Sequence, residues 1–158
     1  YIRKESQKGR ALRVVDGEDV IRKPKDLYSG KELVDVPVVG KITAGAPILA
    51  VENIERTLPF SSDFYSSGEH FVLKIRGDSM INAHILDSDY VIVKRQNTAV
   101  LGQIIVARIE DEATVKTLIP HNGEMYLRPE NEAYSLIPFH QENCQILGIV
   151  VGLFRDSI

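Results

Sequence analysis

The sequence is poor in cysteine and has no long apolar segment. Cys144 is the single cysteine of the 158 residues, so a disulfide within the chain is excluded, and its neighbours Ile146 and Leu147 predict a buried structural thiol. No apolar run approaches the roughly 20 residues that a membrane-spanning helix needs, and no signal peptide opens the sequence. These absences favour a soluble protein of the reducing cytoplasm, with no membrane partner.

Length and charge limit the domain organisation. With 158 residues and 44% hydrophobic side chains, the chain can bury one good core but not two. It begins with Tyr1 instead of methionine, so we expect a missing upstream segment. Residues 1–25 carry a net charge of +4 and the remaining residues carry −7, so the whole chain carries −3. The basic segment could lie near nucleic-acid phosphates or be a solvated linker, and charge alone leaves both open.

Turn-forming residues divide the chain into three parts. Residues 16–35 are polar, charged and interrupted by Pro24 and two glycines, which predicts a linker. Residues 1–15 are weakly strand-like, and short apolar runs alternate with turns after the linker. The predicted strands are Val36–Ile42, Ile48–Val51, Phe71–Ile75, Tyr90–Lys94, Ile104–Ile109, Ala113–Leu118, Met125–Leu127 and Gln145–Phe154. We therefore expect a mainly β, compact domain of short, highly twisted strands over residues 36–158.

Two short segments predict hairpin turns, and one acidic pair predicts capping. Asn122-Gly123 is a strong hairpin signal, and residues 110–112 (Glu-Asp-Glu) give a second one. Asp87 and Asp89 are two carboxylates without further ligands, so we interpret them as turn caps and predict no metal and no other cofactor.

Ser79 and Lys116 are the candidate nucleophile and base. Ser79 lies in a Gly-Asp-Ser turn after an apolar strand, and a serine hydroxyl needs a base to take its proton. Lysine can be that base if burial lowers its pKa by roughly 3 units from about 10.4. On a strand, Lys116 would share a face with Thr114 and Leu118. His84, five residues after Ser79, is the alternative base. Taken alone, each residue is better explained without catalysis: Ser79 as a turn former and Lys116 as a solvent-facing lysine on a half-exposed strand.

Ala44 and Gly45 form the candidate cleavage site. These residues put little bulk around a peptide carbonyl, and glycine adopts backbone angles that other residues avoid. Ser79 would attack the Ala44 carbonyl, with the backbone N–H groups of Asp78 and Ser79 holding the oxyanion. Lys116 would accept the serine proton and later donate one to the Gly45 amine. A plain turn between two strands is the other interpretation of Ala44-Gly45.

Three segments together resemble the LexA repressors and their self-cleaving relatives. In that family an Ala-Gly peptide is the cleaved bond, a Gly-x-Ser-Met turn supplies the nucleophile, and a Thr-Val-Lys strand supplies the base. Ala44-Gly45, Gly77-Asp78-Ser79-Met80 and Thr114-Val115-Lys116 match these in order and spacing. The resemblance implies that the chain is a serine endopeptidase with a Ser79–Lys116 dyad that cuts itself between Ala44 and Gly45.

Two further segments follow the family. Residues 86–89 (Leu-Asp-Ser-Asp) resemble its Leu-Asp-Gly-Asp turn, with Ser88 in the place of the glycine. Residues 129–131 match its Pro-Glu-Asn run.

The resemblance also implies a fold, a function and partners. The expected fold is the β fold of LexA and signal peptidases, with residues 1–15 as the last strand of a winged helix-turn-helix domain. The expected function is repression of DNA-damage (SOS) genes, ended by self-cleavage. The implied partners are a second copy bound through residues 36–158, operator DNA bound by the missing N-terminal domain, and a RecA filament on single-stranded DNA. We expect the strand Gln145–Phe154 to be the edge that pairs with the second copy.

Three alternatives remain at this point. A phage-type repressor or a UmuD-like polymerase accessory protein would share the cleavage chemistry, although 43 residues precede Ala44, which is long for the accessory protein's arm. A dimerisation module without catalysis would need none of the site residues. An enzyme like signal peptidase would act on other chains and is disfavoured by the lack of a membrane anchor.

Overall fold

The computed structural model describes residues 32–64 and 67–156. The predicted wing strand over residues 1–15, and the predicted linker as far as residue 31, lie outside the described residues. Strands predominate in the described part, with short 3-10 helices at Val51–Asn53, Ser62–Phe64 and Ile81–Ala83. The strands are β1 (Leu33–Val39), β2 (Ile54–Ser61), β3 (His70–Lys74), β4 (Tyr90–Arg95), β5 (Ile104–Ile109), β6 (Glu112–His121), β7 (Glu124–Arg128), β8 (Ile137–Pro138) and β9 (Cys144–Phe154). The mainly β fold class is confirmed.

The strands form one hydrogen-bonded sheet in the order β2-β1-β3-β4-β9-β5-β6-β7-β8. Neighbours in this order run antiparallel, apart from the parallel pair β1 and β3. The register of β9 shifts against β4 between Ile92 and Val93, and against β5 between Val106 and Ala107. Irregularities of this kind bend a strand and increase its twist, so the sheet curls at β9.

Curling lets distant strands share one core. Val39 of β1 and Val115 of β6 belong to the same buried cluster, although four strands separate β1 from β6 in the sheet. The loop residues Ile48, Ile75 and Met80 enter this cluster as well. A buried side chain of this size contributes about 1.5–3 kcal/mol. The core therefore fixes the loops that leave the sheet as well as the strands themselves.

Most strand predictions are confirmed, but the edge strand β2 was missed. Its residues include an exposed Glu-Arg-Thr run and Pro59, a composition that argues against a central strand. An edge strand tolerates both, since one side of its backbone faces solvent. The predicted strand Ile48–Val51 is wrong, because the backbone turns there and then enters the 3-10 helix Val51–Asn53. The short strand β8 was also not predicted.

The limits of β1 differ from the sequence prediction. It begins at Leu33, inside the predicted linker, because residues 33–35 pair with residues 61–59 of β2. It ends at Val39, three residues before the predicted end.

Both predicted hairpin turns are confirmed. Asn122 and Gly123, with φ of 52° and 80°, join β6 to β7. Such positive φ values at both turn positions match the twist of a two-residue hairpin. Glu110, with φ of 54°, begins the turn that joins β5 to β6.

The prediction that β9 is an edge strand is wrong. It lies between β4 and β5 and pairs with both. In the described part of the chain, however, β5 pairs with β9 only as far as Ile149. Beyond this point Val151 and Leu153 are exposed, at 48% and 39%. The end of β9 therefore presents an apolar surface although the strand is central. No helix in the described ranges is long and apolar enough to cross a membrane.

Candidate active site

A sharp turn after β3 presents Ser79. Gly77 has φ of 88°, a left-handed conformation that favours glycine. Its N–H donates to Asp87 Oδ1 at 2.6 Å. Met80, directly after the serine, is buried in the main core at 2% exposure. The turn is thus fixed from both sides of Ser79, and the serine itself stays half-buried and accessible.

Lys116 projects from β6 to the same point. Its Nζ lies 3.1 Å from Ser79 Oγ and also contacts Thr114 Oγ1, so Thr114 and Lys116 share a face as predicted. The side chain is buried, at 7% exposure. Burial disfavours the charged ammonium and lowers the pKa of Lys116. The structure therefore joins a hydroxyl to an amine that is easier to deprotonate than an ordinary lysine.

The residues after β7 support the serine turn. Asn131 Nδ2 donates to the Asp78 carbonyl oxygen at 2.9 Å, and the Tyr134 hydroxyl donates to the Asp78 carboxylate. The Pro-Glu-Asn run was noticed in the sequence without a role, and Tyr134 was missed. Nothing in the local sequence connects Tyr134 to a residue 56 positions away. Together these contacts fix the orientation of the peptide that joins Asp78 to Ser79.

The same run also contacts the lysine strand. Thr117 Oγ1 donates to Glu130 Oε2 at 2.6 Å, and Arg128 pairs with the same carboxylate oxygen at 3.0 Å. The Glu130 carbonyl accepts from the Asn82 N–H at 2.8 Å. Glu130 therefore connects β6, which carries the amine, with the 3-10 helix that follows the serine.

A cleft of about 400 Å³ lies beside Ser79. It is lined by residues 39–42, by residues 73–76 with Ser79 and Met80, and by residues 111–115. Residues 111–115 belong to β6 and the turn before it, and residues 39–42 lead directly to Ala44. The cleft could therefore receive an extended segment of peptide beside the serine.

Ala44 and Gly45 are the central residues of an exposed turn. The Ala46 N–H donates to the Thr43 carbonyl at 3.1 Å, and Gly45 has φ of 78°, the value that a type II turn requires at its third position. Neither Ala44 nor Gly45 is among the residues that line the cleft. The predicted cleavage site therefore lies outside the lining of the cleft beside Ser79.

Asn53, which the sequence analysis missed, holds this turn. Its side chain is buried, at 1% exposure. Its Oδ1 accepts from the Thr43 N–H at 2.8 Å, and its Nδ2 donates to the carbonyls of Pro47 and Ile48 at 3.0 and 3.2 Å. One amide thus ties the chain before the Ala44–Gly45 bond to the chain after it. A buried asparagine in a polar Val-Glu-Asn segment gave no local signal for this.

The acidic pair after the serine caps turns, as predicted. Besides the Asp87 contact with Gly77, Asp89 Oδ2 accepts from the Leu86 N–H at 2.8 Å. Asp89 is buried at 1% exposure and pairs with Arg155, whose hydrogen bond lowers the pKa of Asp89. Within residues 32–64 and 67–156 no group of three or more potential ligands could hold a metal ion.

The alternative base His84 has a structural place of its own. It is exposed, adopts a left-handed conformation with φ of 63° after the 3-10 helix Ile81–Ala83, and its carbonyl accepts from Arg155. The amine within hydrogen-bond reach of Ser79 Oγ is that of Lys116.

Comparison with known proteins adds the family. The Peptidase S24-like family matches residues 37–151. A LexA repressor of Acetivibrio thermocellus is 51% identical over 98% of this chain and 73% of its own length. LexA repressors of Bacillus licheniformis and Alkaliphilus oremlandii are 48% and 44% identical, over 98% of this chain and 72% of their own lengths. The chain belongs to the LexA repressor family. Matches over nearly the whole chain do not favour the phage-type or UmuD-like alternative, and the S24 match supports a self-cleaving peptidase.

Ser88 departs from the glycine of the family turn, and this predicts a stability gain. Ser88 has φ of 74°, a left-handed conformation that costs a non-glycine residue roughly 1–2 kcal/mol. Part of this is offset because glycine loses more backbone entropy on folding. We expect Ser88→Gly to raise the free energy of unfolding by about 0.5–1 kcal/mol in urea titration. Ser135→Gly is the control, an exposed serine whose φ is not positive; it should give a small loss. Equal effects at both positions would contradict the explanation.

Proposed function

We propose that this chain is the regulatory part of a repressor of DNA-damage genes, and that it inactivates itself by cutting the Ala44–Gly45 bond. Ser79 is the nucleophile and Lys116 the general base in this proposal. The observation that carries it is the 3.1 Å distance between Ser79 Oγ and the Nζ of the buried Lys116. Lysine side chains are rarely buried in proteins, so the burial of this one beside a turn serine indicates a specific role.

The chemistry needs a neutral Lys116. Its amine takes the proton of Ser79 as the Oγ attacks the Ala44 carbonyl carbon, and a tetrahedral intermediate forms. When the bond breaks, Lys116 returns the proton to the Gly45 nitrogen, which leaves as a free amine. Water then hydrolyses the ester between Ala44 and Ser79 and regenerates the serine.

The N–H groups of Asp78 and Ser79 are our candidates for the oxyanion hole. The Asp78 carbonyl is held by Asn131. In a trans peptide the carbonyl and the following N–H point in opposite directions, so this bond also fixes the direction of the Ser79 N–H. Donors that are already oriented stabilise the developing charge without reorganisation.

We propose that the exposed turn is the resting position of the cleavage site. Ala44 and Gly45 must leave this position to reach the cleft beside Ser79, and the Asn53 contacts with Thr43, Pro47 and Ile48 restrain them. An activator that binds the chain with the bond in the cleft would shift this equilibrium and need not supply a catalytic group. A RecA filament on single-stranded DNA is the activator that we propose.

The proposal includes dimerisation and DNA binding. The exposed Val151 and Leu153 at the end of β9 are the surface that we propose for contact with a second copy. Operator DNA would be bound by a winged helix-turn-helix domain upstream of the described residues, one in each copy. Two DNA-binding domains joined in this way gain affinity because the second binds intramolecularly.

The pH dependence of self-cleavage tests the lysine base. Burial lowers the pKa of Lys116, so the neutral fraction grows as pH rises and becomes complete above the folded pKa. The cleavage rate of the purified protein should therefore increase with pH from neutral and level off below the pKa of an ordinary lysine. The rate is measured from the two product bands on denaturing gels.

Other outcomes separate the alternatives. A histidine base would reach its plateau near pH 7 to 8, so a rate that still rises above pH 8 would exclude histidine and support Lys116. If the rate is flat above pH 8, cutting that is lost in His84→Ala and retained in Lys116→Ala would exclude Lys116. A chain that stays intact at every pH would be a dimerisation module without catalysis.

A further inference from the structure

Strand β1 lies before the proposed cleavage site, yet it is an inner strand of the sheet. Its neighbours β2 and β3 both follow the site in sequence. Hydrolysis between Ala44 and Gly45 would place β1 in the N-terminal product and both neighbouring strands in the C-terminal product. The two products would then share one sheet without a covalent connection.

The contacts across this division are extensive. All seven residues of β1, Leu33–Val39, pair antiparallel with β2, and Val38 and Val39 also pair with β3. Val36, Val38 and Val39 are buried at 2%, 0% and 1% exposure. Val36 and Val38 belong to one core cluster, and Val39 belongs to another. Backbone pairing with side chains in alternate pockets is the way in which an added strand binds a sheet.

Further bonds cross the division beyond the strand. The Gly40 N–H donates to the Asn53 carbonyl at 2.9 Å, and the Thr43 N–H donates to the Asn53 side chain at 2.8 Å. Asn53 itself lies in the C-terminal product. The N-terminal product is therefore held by hydrogen bonds close to the cut bond, as well as by the pairing of β1.

Losing β1 would also expose β2. Among the described strands, β2 has β1 as its sheet neighbour, and β1 separates it from β3. Departure of β1 therefore leaves β2 without a strand partner and opens the core at Val72 and Phe71, which are fully buried. Both costs oppose separation of the products.

We infer that cleavage produces a nicked complex, in which the groove between β2 and β3 continues to hold residues 33–44 as a bound strand. Separation of the two products is a second, slower step that requires β1 to leave this groove. The inference rests on the proposed cleavage site. Under it, cutting the bond and releasing the DNA-binding part are separate events, and anything that unfolds β1 accelerates the second one.

The test makes the cut without the chain's own catalysis. In Ser79→Ala protein, a recognition sequence for a site-specific protease is inserted between Ala44 and Gly45, where the turn is exposed and a Cβ on Gly45 would meet no atom within 4 Å. After digestion, denaturing gels report the cut and native size-exclusion chromatography reports association. We expect both pieces to elute together at micromolar concentration for at least an hour. Separate elution in the first run would overturn the inference.

Two matched substitutions identify β1 as the cause. Val38→Ala removes a fully buried side chain, whereas Val34→Ala changes an exposed valine of the same strand, at 42% exposure. Nicked Val38→Ala should separate at least tenfold faster than the nicked parent, and nicked Val34→Ala less than twofold faster. Equal rates for the two would overturn the inference, because another contact would then hold the pieces together. If Val38→Ala does not fold, Val36→Ala replaces it against the same control.

Self-cleavage of the parent protein separates the two hypotheses. If the parent remains uncut at alkaline pH while the digested protein stays associated, the proposed function fails and the strand inference stands. If the parent cuts itself and its products separate at once, the proposed function stands and the inference fails.

Discussion

Ser79→Ala and Lys116→Ala should each abolish self-cleavage and leave the fold intact. Removing a nucleophile or a general base from a serine peptidase site typically reduces the rate by about 10³-fold or more. Neither side chain belongs to the buried apolar clusters, so the packing of the apolar core should be retained. Mass spectrometry after long incubation at alkaline pH measures the residual cutting.

Matched controls separate chemistry from general damage. Ser135→Ala and Lys94→Ala change an exposed serine and a half-buried strand lysine that do not line the cleft, and both should cut at the parent rate. Cleavage that persists in Ser79→Ala or Lys116→Ala would exclude the dyad.

The lysine substitution should also change stability in a pH-dependent way. The folded protein disfavours the charged amine, since burial lowers the pKa of Lys116. This penalty is complete below the folded pKa and disappears as pH rises toward the unfolded pKa. Lys116→Ala should therefore be slightly more stable than the parent near neutral pH, and this gain should shrink at alkaline pH. A stability loss at neutral pH would mean that the amine is favourably paired.

Separation of the two products should weaken operator binding by roughly 10²- to 10⁴-fold, because linkage of two DNA-binding domains provides an advantage of this size. The measurement compares operator dissociation constants of the full-length repressor before cleavage and of its isolated N-terminal product. Each N-terminal product keeps its own DNA contacts but loses its partner and the fixed spacing between half-sites. Equal affinities would contradict this account, as would a monomeric Gly45–Ile158 product at micromolar concentration.

The strand inference adds a time course to this prediction. Operator affinity should fall with the separation of the products on size exclusion, later than the appearance of product bands on denaturing gels. The Val38→Ala substitution should shorten this delay. A loss of affinity that coincides with cutting would show that the nicked complex does not hold the operator.

Local pattern predicted the strands whose side chains face the core. The runs that became β3, β4, β5 and β6 are apolar or β-branched, and the Asn122-Gly123 turn requires a specific backbone conformation. By contrast, β2 carries charged residues and a proline. An edge strand tolerates this composition, but it is also typical of a loop. Its strand conformation comes from pairing with β1, which local sequence does not encode.

The sequence by itself determined which residues could react. A Gly-Asp-Ser turn, a lysine inside a β-branched strand and an Ala-Gly turn are chemical facts of the chain, and their order identifies the family. Only the tertiary structure decided how close these residues lie to one another and how deeply they are buried. Curling of the sheet brings β6 beside the serine turn and buries Lys116, which lowers its pKa. Asn53 contacts Thr43 and Pro47 on either side of the Ala44–Gly45 turn, and the two turn residues do not line the cleft. Distance and desolvation depend on contacts between residues far apart in the chain, so the pattern of neighbouring residues could not supply them.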